Sequence, residues 1–133
     1  MDFASVRIIT GDVARLVAFY ERATGVPAHW ANEDFAELRT ASATLAIGST
    51  RTVPLFAPGS ARPGENRSVI LEFRVDDVDG VYANLTGFVE DFVNEPTTMP
   101  WGNRALLFRD PDGNLVNFFT PVTPSAIERS ARR

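Results

Sequence analysis

The sequence predicts an α+β fold built from two βαβββ modules. Three observations carry the prediction. An alternating apolar strand, an aspartate, a helical apolar pattern and a glycine follow one another in the first half (5–10, Asp12, 13–20, Gly25) and again in the second (69–75, Asp76 or Asp77, 78–85, Gly87). Each helix is followed by short strand-like runs. The halves also overlay: Tyr20 and Tyr82 lie 62 residues apart, and Leu38/Phe108, Leu45/Leu115 and Ile47/Asn117 each lie 70 apart. A supersecondary unit used twice decides an architecture before any single residue does.

The elements follow in order. Val6, Ile8 and Thr10 alternate with Ser5, Arg7 and Ile9, a strand with two distinct faces. Asp12 stands at an N-cap position, where its carboxylate accepts the free amide hydrogens of the next turn. Val13, Leu16, Val17, Phe19 and Tyr20 then recur at helical spacing, and Gly25 closes the helix. Strands are expected at 28–30, 35–40 and 44–49, separated by Asn, Glu, Asp and Ser turn material. Residues 51–67 are rich in proline and glycine and read as a linker or surface loop.

In the second half Val69, Leu71, Phe73 and Val75 share one strand face, with Ile70, Glu72 and Arg74 on the other. Asp76 or Asp77 caps a helix carrying Val78, Val81, Tyr82 and Leu85, which Gly87 ends. A strand is expected around 89–93, a loop over 94–103, and a hairpin of strands 105–109 and 115–120 across Asp110-Pro-Asp-Gly-Asn114. Proline presets φ in that turn, and Asp, Gly and Asn tolerate left-handed backbone. The tail from Thr123 is expected to form a short helix or to fray. The whole reads as a single domain: module one about 4–50, linker 51–67, module two about 68–121, C-terminal tail 122–133.

Composition narrows the function classes. A hydrophobic fraction of 44% and a charged fraction of 23% are those of an ordinary globular chain. The net charge of −4 and the lack of a basic stripe argue against a nucleic-acid partner. All 13 cationic residues are arginine, and an arginine inside a pocket favours bidentate carboxylate or phosphate contacts. There is no cysteine, which excludes disulfides, thiolate nucleophiles and sulfur metal sites and suits a reducing cytoplasm. The first residues show no basic and apolar leader, and no apolar run approaches the roughly 20 residues of a membrane span. A cytoplasmic protein without membrane partners is therefore expected.

Asp12-Val13 with Phe19-Tyr20 and Gly25, Val75-Asp-Asp-Val78, and above all Phe108-Arg-Asp-Pro-Asp-Gly-Asn-Leu115 resemble the vicinal oxygen chelate superfamily, also called the glyoxalase/bleomycin-resistance/dioxygenase fold. The resemblance spans about residues 4 to 121. It implies two modules whose mixed sheets curve into a cup, and a homodimer. For most of the family's enzymes it also implies a divalent metal held by His, Gln or Glu on each module's first strand and a carboxylate on the last. Carried onto this chain those positions are Ser5, Ile70, Asn117 and Ile47, a set unable to make a mixed histidine–carboxylate site. The only histidine, His29, lies off the set. No metal and no other cofactor is expected, and with the metal go glyoxalase, extradiol dioxygenase and metal-dependent drug-transferase chemistry.

Strand parity sends Ile70, Glu72 and Arg74, then Ser5, Arg7 and Ile9, then Leu45 and Ile47, then Leu115, Asn117 and Phe119 to the cup face. Arg7, Glu72, Arg74 and Asn117 are its polar fixtures. Glu72 either forms an ion pair with Arg7 or Arg74 or stays free as a general base. Trp30, Phe35, Phe56, Met99 and Trp101 sit on or beside loops, where aromatics either stack on a planar ligand or fill an interface. Arg104 either anchors an anion or is a solvated surface group.

Two functions fit. One is a metal-free small-molecule-binding protein like the bleomycin-resistance branch, sequestering a planar ligand, cationic if the acidic charge balance steers it. The other is a metal-independent isomerase, lyase or cyclase with Glu72 as general base and an arginine stabilising the oxyanion.

Overall fold

The computed structural model describes residues 1–132, and the chain divides into two compact units, the first spanning Met1–Asn66 and the second beginning at Arg67. The first unit contains β1 (Ser5–Thr10), α1 (Val13–Thr24), β2 (Ala28–Asn32), β3 (Phe35–Arg39) and β4 (Thr44–Ser49), then a 3₁₀ helix at Thr50–Leu55. Its sheet has the order β1-β4-β3-β2, with β1 parallel to β4 and the remaining pairs antiparallel. The second unit contains β5 (Ile70–Arg74), α2 (Val78–Leu85), β6 (Thr97–Thr98), β7 (Asn103–Arg109), β8 (Leu115–Pro121) and α3 (Pro124–Ala131). Its sheet repeats the pattern as β5-β8-β7-β6. Both are open mixed sheets, and each unit is βαβββ.

Both helices begin where the aspartates predict. Asp12 accepts from the Arg15 amide and Asp77, not Asp76, accepts from the Gly80 amide. α1 buries Val13, Leu16, Val17 and Tyr20 on one stripe, each such side chain contributing about 1.5–3 kcal/mol when taken out of water. It ends at Gly25, whose φ of 73° is left-handed and whose amide donates to the Glu21 carbonyl. α2 is shorter and ends differently. Thr86 caps it in right-handed backbone, and Gly87, expected as the stop, has no positive φ.

The second unit departs from expectation between its helix and its hairpin. The strand expected at 89–93 is reduced to a single bridge, Phe92 to Phe108. The Asn94 side chain accepts the Leu107 amide hydrogen in place of a backbone carbonyl, and Pro96 has no amide hydrogen to give, so the ladder breaks here. It resumes at Thr97–Thr98, inside the stretch read as loop. The 51–67 segment is likewise not uniform, because Ser49 caps the 3₁₀ turn at Thr50–Leu55 by accepting from the Arg51 amide. The tail from Thr123 is helical: Thr123 is its N-cap and Pro124 its first residue.

The cores lie between each helix and one sheet face. In the first unit that face carries Ile8, Thr10, Ala36, Leu38, Leu45 and Ile47. In the second it carries Leu71, Leu106, Phe108, Val116 and Phe118, with Phe73, Phe118, Phe108, Phe92 and Tyr82 forming a chain of ring contacts. The Asp110 turn closes the β7–β8 hairpin from inside. One carboxylate oxygen of the buried Asp110 accepts the amides of Asp112 and Asn114, and the other accepts the Asn114 side chain.

Candidate functional site

The registers settle which residues share a face, and they correct one expectation. In the parallel β1–β4 pair, Val6, Ile8 and Thr10 stand beside Leu45, Ile47 and Ser49, while Ser5, Arg7 and Ile9 stand beside Thr44, Ala46 and Gly48. Leu45 and Ile47 therefore face α1, not the face of Arg7. A one-residue slip moves every side chain of a strand to the other side. The repeat shows the same slip: β8 stands 71 residues, not 70, beyond β4, since Ile70 pairs Leu115 as Ser5 pairs Thr44. The first-unit counterpart of Asn117 is thus Ala46. The counterpart of Tyr20 is Leu85 rather than Tyr82, because the caps Asp12 and Asp77 lie 65 apart.

In the first unit the face away from α1 presents the row Arg7, Ala46, Glu37, His29, with Ile9, Gly48 and Phe35 beside it. The Arg7 guanidinium carbon lies 4.6 Å from the Phe35 ring centroid and 5.3 Å from that of Phe56. Phe56 follows the 3₁₀ helix, which brings it back to the face. Gly48 lies beside this cluster: a Cβ there would meet the Arg7 Cδ at 3.8 Å, an ordinary contact, and Thr52 Oγ1 more tightly at 3.1 Å. Glu37 accepts from Arg39 at 3.1 Å. Trp30 pairs with Ala36, on the α1 side of the sheet, so the structure does not bring it to Arg7, Phe35 and Phe56.

Asp34, between β2 and β3, ties the end of β4 to the 3₁₀ helix. Its Oδ1 accepts from Ser49 Oγ at 2.8 Å and Arg51 Nε at 2.7 Å. The hydrogen bonds from Arg51 and then Ser49 hold its carboxyl below the ordinary aspartate range.

In the second unit the corresponding face presents Glu72, Asn117 and Leu107 in one row and Arg74, Phe119 and Ala105 in the next. Glu72 Oε2 accepts from the Asn117 side-chain amide at 2.8 Å, and the Asn117 carbonyl oxygen is buried with no hydrogen-bond partner. The expected pairing of Glu72 with Arg74 does not form. Arg74 instead donates to Ser130 Oγ at 2.8 Å and to its carbonyl at 3.3 Å, in the last turn of α3. Glu72 stands at the repeat position of Arg7, so equivalent sites carry opposite charges.

Met99 and the exposed Trp101 belong to the turn that enters β7, closed by the Gly102 amide donating to the Met99 carbonyl. The Trp101 carbonyl accepts from Arg129 of α3. Arg104 is no free anion anchor: its Nε and NH2 grip the Asp79 carboxylate at 2.8 and 3.0 Å. That hydrogen bonding lowers the Asp79 carboxyl from its usual range.

The positions where the resemblance places a metal now read Ser5, Ala46, Ile70 and Asn117. One hydroxyl, two aliphatic side chains and an amide whose nitrogen is committed to Glu72 do not fit a divalent ion. Among the described residues no group of three or more His, Asp or Glu side chains converges to hold one. Sequence reasoning missed Glu37 and His29 as neighbours on the Arg7 row, Gly48 beneath Arg7, and Ser130 as the partner of Arg74. The Glu37 parity was visible in the sequence, but the register that aligns it with Arg7 was not.

Known proteins carry the same fold. A crystallised "glyoxalase/bleomycin resistance protein/dioxygenase family enzyme" from Burkholderia phytofirmans PsJN superposes with a TM-score of 0.80 over 92% of this chain and 100% of its own, at 19% identity. A glyoxalase/bleomycin resistance protein/dioxygenase from Nocardioides gives 0.75 over 93% and 85%, at 21% identity. The uncharacterized protein YraH of Bacillus subtilis (strain 168) is 27% identical over 125 residues, 90% of this chain and 98% of YraH. The model of the Glyoxalase/Bleomycin resistance protein/Dioxygenase superfamily matches residues 2–118. With that match across most of its length and the βαβββ repeat in both units, the chain belongs to the glyoxalase/bleomycin resistance/dioxygenase superfamily, the vicinal oxygen chelate group.

Proposed function

We propose that this chain is a metal-independent small-molecule-binding protein that takes a planar organic ligand on the sheet face carrying Arg7, Phe35 and Phe56. One observation carries the reading. The face that in the family's enzymes supplies metal ligands here supplies a cation held against two aromatic rings, while the ligand positions themselves read Ser5, Ala46, Ile70 and Asn117. Such a face, where Phe35, Phe56 and Ile9 stand beside charged and polar side chains, suits an organic molecule with both a flat apolar body and a polar group. Phe56 is 74% exposed, so its ring is available for stacking. In this reading the partner is the ligand alone, with no nucleic acid or membrane, and the working form is a homodimer, which light scattering checks.

The test is a thermal-shift and NMR screen of chelator-treated protein against planar aromatic compounds. Binding without added metal, weakened by Phe35→Ala and Phe56→Ala, supports the reading. Binding by no member of the panel, or only after Mn²⁺, Ni²⁺ or Zn²⁺ is added, overturns it.

A second reading, a metal-independent isomerase, lyase or cyclase, draws on the exposure of Glu72 and its lack of an arginine partner among the described residues. An exposed carboxylate not held by an arginine is accessible to a substrate, the geometric requirement of a general base. Chemical turnover that Glu72→Gln abolishes while ligand binding persists would establish this reading over simple sequestration.

A further inference from the structure

Arg7 differs from most of the arginines around it. Arg39, Arg51, Arg104 and Arg132 are each matched to a carboxylate, and Arg74 and Arg109 donate to hydroxyl or carbonyl oxygens. The Arg7 guanidinium has no carboxylate and no hydrogen-bond acceptor among the described residues, and its contacts are the faces of Phe35 and Phe56. The carboxylate nearest along its row, Glu37, is engaged by Arg39. Arg7 is exposed, and the ring contacts constrain where its guanidinium lies while leaving its five N–H donors to water. An arginine fork held in place with its donors unmatched is complementary to a planar carboxylate, which accepts two parallel N–H bonds.

We infer that Arg7 is the anchor for an anionic group and that the ligand of this face is an aromatic or otherwise planar carboxylate, its flat body lying against Phe56 and Phe35. This rests on the ligand-binding reading above and narrows it. It also reverses the cationic ligand expected from net charge, because the local group that a ligand meets is a guanidinium, and a charge in contact outweighs the screened field of distant surface groups.

The probe pair is 2-naphthoate and its neutral analogue 2-naphthamide, equal in shape and different in charge. Calorimetric titration of the full chain is expected to give the acid an advantage of roughly tenfold or more over the amide, the size of charge-assisted hydrogen bonds added to a common stacking contact. In ¹⁵N–¹H spectra, 2-naphthoate and not 2-naphthamide should shift the Arg7 Nε–H resonance. Arg7→Gln should abolish the preference for the acid, and Arg7→Lys, which keeps charge but loses the fork, should restore only part of it. Equal affinity for the two probes overturns the inference while leaving the ligand-binding reading standing, as does a preference that survives Arg7→Gln. An unmoved Arg7 Nε–H signal during binding also overturns it. Failure of both probes and of the wider planar panel to bind overturns the inference and the reading together.

Discussion

At the scale of single residues, two glycines and one ring make the account testable. Gly102 sits at a φ of 91° under the start of α3, where a Cβ would come within 1.9 Å of Thr123 Oγ1. Gly102→Ala combines left-handed strain with a steric clash, and should cost on the order of 2–4 kcal/mol in denaturant unfolding. Gly48→Ala should be milder, since the nearest atom, Thr52 Oγ1 at 3.1 Å, is a side-chain hydroxyl that can give way, and Arg7 Cδ at 3.8 Å would be in ordinary contact, so binding through Arg7 should change little. Phe56→Ala removes a mostly exposed ring. It should change stability by no more than about 0.5 kcal/mol while weakening planar ligands, a separation that unfolding and titration on the same sample would show.

At the scale of elements, the Asp110 turn joins local chemistry to register. A buried carboxylate accepting three N–H donors holds the β7–β8 hairpin, so Asp110→Ala should destabilise the chain by about 2–4 kcal/mol, measured by chemical denaturation. This turn was legible in the sequence because its residues carry their own conformational preferences. So were both helix starts, since an aspartate before an apolar stripe is a local signal. The β4 register was not. Leu45–Ser49 is buried on both sides, Ala46 and Gly48 included, so its apolar run lacks the alternation that marks a face. Nothing in the chain itself chose between Ala46 and Ile47 as the repeat counterpart of Asn117. The contact of Arg7 with Phe56 was equally hidden, because it depends on a 3₁₀ turn within a stretch that reads as linker.

At the scale of the whole molecule, charge acts in two ways. Asp34 and Asp79 both have carboxyls held below the ordinary aspartate range by arginine hydrogen bonds. A lowered folded-state pKa contributes stability that is present above the ordinary range, near about 4, and is lost as pH falls through the lowered value. Thermal unfolding should therefore show an acid-side loss below about pH 4 that Asp34→Asn and Asp79→Asn each reduce. The overall charge of −4 keeps the chain acidic while the Arg7 face is locally cationic, so ligand binding there should weaken with salt through its contact charge. The family fold is retained here with side chains unsuited to the family's metal.

The central claim is that this fold binds an organic ligand without a metal. It is tested most directly by calorimetric titration of chelator-treated protein with the tightest planar compound from the screen, before and after adding Mn²⁺, Ni²⁺ or Zn²⁺. Saturable binding with the same affinity is expected in every case. Binding that appears only when a metal is restored would contradict it.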